Sequence, residues 1–174
     1  IVVENIDKSL SNTQLSVIVA NISGAEKALT HQSVDILGFP FSISEVFQHR
    51  NTNKSREEAF LEIQEILKIT SQEGKKLHLY FSMAFGNPYG EAWSWQEVDF
   101  WAKRFSEIGI KSIQLSDTTG VASTENITEL FGKIPTKYPE IAFGAHFHNR
   151  YPIERLEHSI FVNKISKIVS SGWL

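Results

Sequence analysis

The sequence predicts an α/β fold built on parallel strands. Three observations carry this: short apolar runs rich in β-branched and aromatic residues, amphipathic stretches between them, and glycines where those stretches should end. The strand candidates are residues 15–20, 34–38, 77–83, 112–115 and 141–145. A Ser-x-x-Glu capping box marks three helix starts, Ser23 with Glu26, Ser55 with Glu58, and Ser94 with Glu97. Gly74, Gly109 and Gly172 stand where a C-cap glycine belongs. Val98, Trp101, Ala102, Phe105 and Ile108 recur at helical spacing and should pack on a sheet, as should Phe60, Ile63, Ile66 and Leu67 one unit earlier. Trp93 and Trp95, beside Trp101, read as helix packing.

Strand and helix repeated this regularly call for right-handed crossovers between parallel strands. Periodicity leaves a doubly wound open sheet and a closed barrel both standing. A complete eight-unit barrel takes roughly 250 residues. The 174 residues here hold candidates for about five to six βα units, so a barrel would be incomplete. With no linker and no low-complexity segment, residues 1–174 read as one domain. The longest polar connection is expected from Phe39 to Lys54.

A net charge of −3 and a pI near 6.1 give no reason to expect nucleic acid or an anionic membrane as partner. The absence of cysteine removes disulfides, thiolate metal sites and a cysteine nucleophile together. The apolar runs are too short to cross a bilayer. Ile1-Val2-Val3-Glu4 shows no basic leader before an apolar core, so a soluble, cytoplasmic protein is expected.

Chemistry concentrates just past the strands. In Gly144-Ala145-His146-Phe147-His148-Asn149, two histidines at i and i+2 of a strand share a face, where both imidazoles can reach one divalent ion. The competing reading is one core histidine and one exposed. Asp117, in Ser116-Asp117-Thr118-Thr119-Gly120, could orient substrate or move a proton, or could simply close its turn. Ser82, Asn87 and Tyr89 could contact a polar ligand, although Gly86-Asn87-Pro88 is also an ordinary turn. Ser42 to Lys54, with Arg50, Asn51 and Asn53, could receive a carboxylate or a CoA phosphate, or be a solvated loop. His31, His49, His78 and His158 lack partner spacing and read as structural or exposed.

Taken in order, these motifs resemble the hydroxymethylglutaryl-CoA lyase family, barrel metalloenzymes that also include isopropylmalate and homocitrate synthases. Ser42-Ile43-Ser44-Glu45-Val46-Phe47 followed by Asn51-Thr52-Asn53 is similar to the family's Ser-x-Ser-Glu-x-Phe and Asn-x-Asn. Tyr80-Phe81-Ser82 and Phe85-Gly86-Asn87-Pro88-Tyr89 resemble its Tyr-x-Ser strand and Phe-Gly-x-Pro-Tyr turn. Asp117-Thr118-Thr119-Gly120 matches Asp-Thr-x-Gly, and His146 with His148 matches the His-x-His metal pair.

The resemblance implies a TIM (β/α)8-type barrel, incomplete in this chain. It further implies Mg²⁺ or Mn²⁺ on His146 and His148, and Asp117 in an acid/base or orienting role. Ser82, Asn87, Tyr89, Thr118 and Asn51 would be substrate contacts. The implied reaction cleaves a 3-hydroxyacyl-CoA to acetyl-CoA and a ketone or keto acid.

Departures from the family matter. Its first-strand Asp–Arg pair and its glycine-rich loop with a catalytic cysteine have no counterpart. Asn87 stands where many lyases have cysteine, and Asn149 where they have Asp. The chain alone is therefore expected to be a poor catalyst with part of the site missing. Alternatives are a Claisen-type acyl transferase and an inactive barrel fragment. A sheet left unclosed keeps exposed edges, which homo-oligomerisation or other polypeptide would cover.

Overall fold

The computed structural model describes residues 3–8 and 11–148. After a 3₁₀ turn at Val3–Asn5 come β1 (Leu15–Ile18), α1 (Ile22–Leu29), β2 (Val34–Ser42), α2 (Glu45–Thr52), α3 (Arg56–Gln72), β3 (Lys76–Ser82), α4 (Trp95–Glu107), β4 (Ser112–Asp117), α5 (Thr124–Lys137) and β5 (Ala142–Phe147). All neighbouring strands are parallel, in the order β1-β2-β3-β4-β5. A doubly wound sheet reverses its order at a switch point. Here every strand adds on the same side, the winding of a (β/α)8 barrel. Among the described residues the sheet stays open, with β1 and β5 at its edges.

Strand alternation sorts side chains onto two faces. Phe39 and Phe41 of β2, Leu79 and Phe81 of β3, and Ile113 and Leu115 of β4 are buried on the outer face, beneath the helices. The Phe41 ring centre lies 4.7 Å from Trp101 and 5.0 Å from Phe105, contacts worth about 0.5–1.5 kcal/mol each beyond the area they bury. The Arg104 guanidinium covers this aromatic group, 4.0 Å above Phe60 and ion-paired to Glu57. Trp101 is thus core, as helical spacing predicts. Trp93 instead donates its Nε1–H to the Ala84 carbonyl at 2.8 Å, and Trp95 lies under Lys133 and Lys137.

Two expectations change. Residues 39–54 are not one loop. β2 continues through Ser42, and α2 follows with Ser44 as N-cap and Asn53 as a left-handed C-cap at φ 54°. Pro40 is tolerated because of where its missing donor faces. Gly38, two residues earlier, gives its carbonyl to Val19, so Pro40 points to the same side, where β1 has already ended at Ile18.

The second change is at α1. Its cap is Asn21, not Ser23: Asn21 is extended and accepts from the Gly24 amide at 2.7 Å, leaving Ser23 inside the first turn. The Ser55–Glu58 capping box is complete, Ser94 accepts from Glu97, and Gly74 and Gly109 take the positive φ their positions require. Gly172 and His158 lie outside the described residues.

Candidate active site

The carboxyl ends of β2 to β5 bring their inner-face residues into one row. Ser42 pairs with Ser82, and Ser116 pairs with His146. Tyr80 pairs with Gln114 one step below, so the same register sets Ser82 abreast of Ser116. Three hydroxyls therefore lead across the sheet to an imidazole. Ser42 and Ser116 are buried, and Ser82 is half-buried.

His146 and His148 do share a face. Their Nε2 atoms approach to 3.1 Å, with ring centroids 4.8 Å apart. Burial first, and the charge of His148 second, hold the His146 pKa below its usual value. That favours the neutral imidazole a metal requires. Two nitrogens each ~2.1 Å from an octahedral ion, in adjacent positions, lie about 3 Å apart. The observed separation suits such a shared ion, and equally an N–H···N bond in the metal-free pair. Among the described residues no cluster of three or more His, Cys, Asp or Glu side chains forms a complete cage. The histidines supply two donors, and Asn149 falls outside the described residues.

Asp117 ends β4. It pairs with Phe147, the residue alternate to His146, and is 1% exposed. Its Oδ1 accepts from the Val121 and Ala122 amides at 2.8 and 3.2 Å. These bonds close its own turn ahead of α5, one of the two readings its sequence leaves open, and strand alternation sends residues 116 and 117 to opposite faces.

The expected ligand contacts divide. Thr118 sits in the turn after β4, where its Oγ1 accepts from the Met83 amide at 2.9 Å, tying the end of β3 to β4. Asn87 braces its own loop: Oδ1 accepts from Tyr89 and Glu91, and Nδ2 donates to the Glu91 carbonyl. It thus acts as a loop brace, as a turn Asn often does, in keeping with the ordinary-turn reading of Gly86-Asn87-Pro88. Tyr89 stacks on Phe47, 6.4 Å between centroids, with the Arg50 guanidinium 4.9 Å from its ring centre. Asn51 lies exposed on the last turn of α2, not in a loop.

Glu91 was not singled out in the sequence. It accepts from Ser44 Oγ and from the Val46 amide at 3.2 Å, placing a carboxylate at the amino end of α2. The loops after β2 and β3 are thereby joined. A lone acidic residue after a Pro-Tyr-Gly turn carries no local signal of a partner so far away in sequence.

The fold and site define a segment of a (β/α) barrel whose polar chemistry lies at the strand carboxyl ends. The chain matches the model of the HMGL-like family over residues 2–153, and it belongs to that family. It is 30% identical over 144 residues to the cytoplasmic 3-hydroxy-3-methylglutaryl-CoA lyase of Danio rerio, covering 83% of this chain and 43% of that protein. Its fold superimposes on the HMG-CoA lyase of Bacillus subtilis with a TM-score of 0.87 at 22% identity, over 95% of this chain and 54% of the other. An Acinetobacter baumannii HMG-CoA lyase, in complex with coenzyme A and 3-methylmalate, matches with a TM-score of 0.83 at 21% identity, over 94% and 52% of the two chains. The chain thus spans about half the length of the relatives it matches.

Proposed function

We propose that this chain is the central part of a metal-dependent carbon–carbon lyase acting on a 3-hydroxyacyl-CoA, of the hydroxymethylglutaryl-CoA lyase type. The observation that carries the reading is the convergence of the His146 and His148 Nε2 atoms at the end of β5, beside the row of serines. Relatives named for that activity, and one bound to coenzyme A, support it. The proposed compartment is the cytoplasm, in keeping with the cytoplasmic relative. No helix among the described residues is long and apolar enough to cross a membrane.

His146 and His148 would hold Mg²⁺ or Mn²⁺. A divalent ion there supplies Lewis-acid polarisation of substrate oxygens. The chain's own residues do the positioning. Ser82 and Ser116 offer hydroxyl groups on the face shared with His146. Thr118 holds the ends of β3 and β4 together, and Tyr89, steadied by Phe47 and Arg50, forms one wall of the joined loops. Of the two roles the resemblance implies for Asp117, its bonds support the orienting one: it fixes the turn that carries Thr118. Asn51, exposed beside Arg50, is kept as an outer contact for the CoA moiety.

Calorimetric titration with Mn²⁺ tests the reading. His146→Ala and His148→Ala should each weaken binding at least tenfold, on the order of the loss of one metal–nitrogen contact. Unchanged affinity in both variants would overturn the metal assignment.

A further inference from the structure

Phe85 lies in the turn after β3, which crosses the end of β4 to reach β5. The Met83 amide donates to Thr118 Oγ1 at 2.9 Å, and the Ala84 amide to the Ser116 carbonyl at 3.1 Å. From the first turn of α5, Asn126 Nδ2 donates to the Phe85 carbonyl at 3.3 Å. Held by these bonds, the Phe85 side chain is 1% exposed. Its ring centre lies 6.4 Å from that of Phe131 on α5 and 5.4 Å from that of Phe147 on β5. The ring therefore joins a helix, a turn and the strand end that carries the histidines.

Phe147 stands between His146 and His148 in the chain. Strand alternation sends its ring to the helix side of the sheet while the two imidazoles share the other face. The last pair in the register of β4 and β5 is Asp117 with Phe147, so His148 lies one residue past the ladder. The placement of one histidine relative to the other thus depends on the backbone at residue 147. Each Nε2 is at the far end of its side chain, so a small rotation there changes the distance between them. On the outer face, the Phe85 ring is what Phe147 rests against. We propose that Phe85 is a positioning residue for the histidine pair. Its ring, seated on Phe147, holds the backbone between the two histidines and so sets the 3.1 Å span of their Nε2 atoms. This rests on the metal-dependent reading above.

The probe is Mn²⁺, titrated by calorimetry into the 174-residue chain, with circular dichroism and urea unfolding reporting the fold and stability of each variant. Phe85→Leu keeps an apolar side chain and removes the ring contact. It should weaken Mn²⁺ binding about three- to tenfold, the scale of one aromatic pair. Phe147→Leu should match it, and Phe147→Tyr, which keeps the ring, should bind as wild type does. The double leucine variant should be no worse than either single one, since both act through the same pair. Phe105→Leu is the control for lost stability alone. Phe105 is equally buried, but its ring packs with Phe41, Phe60, Phe81 and Trp101. That variant should unfold at lower urea with Mn²⁺ affinity unchanged. If Phe85→Leu does not fold, the two Phe147 variants carry the test. Wild-type protein that binds no Mn²⁺ would sink the metal reading and this inference together. Affinity unchanged in Phe85→Leu and Phe147→Leu, or weakened as much by Phe105→Leu, overturns the Phe85 assignment alone.

Discussion

Removing the Asp117 carboxylate should release the turn after β4, because Oδ1 is the acceptor for the Val121 and Ala122 amides at a buried position. Asp117→Ala leaves those amides without this acceptor, at a cost of about 1–3 kcal/mol. Asp117→Asn keeps an oxygen in the same place and should lose much less. Urea unfolding of both variants separates the cases. An equal loss would show that the charge, and not the turn, is what the protein uses. Thr118 depends on the same turn, since it can accept from Met83 only while the chain after β4 is held beside the end of β3. Met83 itself sits at φ 58°, a left-handed conformation uncommon outside glycine and held here by its surroundings.

At the scale of elements, β1 is the short strand at one edge, and its neighbour β2 helps anchor it through a side chain. The Asp35 carboxylate accepts from Lys8 Nζ and from the Leu15 amide, and these bonds hold its pKa below the usual aspartate value. A carboxyl group with a depressed folded pKa contributes stability above its unfolded value, and that contribution is lost as pH falls through the folded one. The unfolded value is about 3.9. The stability difference between wild type and Asp35→Asn should therefore be constant from neutral pH to about pH 5 and shrink below about pH 4. Denaturant melts at several pH values read this directly, and a difference that persists unchanged to pH 3 would rule the tether out. The half-exposed ion pair contributes little by itself; the backbone bond to Leu15 is what holds the strand.

At the scale of the whole molecule, five parallel strands wound one way leave β1 and β5 each with an unpaired side among the described residues. A barrel loses its edges only when every strand is present. Unpaired parallel edges recruit other polypeptide. Light scattering on the 174-residue chain should show mass rising with concentration. A clean monomer with a single cooperative melt would count against the open sheet.

Most strands and several helix ends were legible in the sequence, because a strand's two-residue alternation and a cap's three-residue reach are local; α2 and the Asn21 cap of α1 were not. Ser55 with Glu58, Gly74, Gly109 and the shared face of His146 and His148 are all of the legible kind. The choice between barrel-type and doubly wound order was not, since both give the same local repeat. It took the pairing of β1 to β5 in sequence order to settle it. The same holds for the site. That Glu91 reaches the amino end of α2 and that Ser82 stands abreast of Ser116 depend on contact between loops or register between strands. Those relations join residues far apart in sequence. No spacing along the chain encodes them; the packed sheet does, by setting which side chain lies beside which.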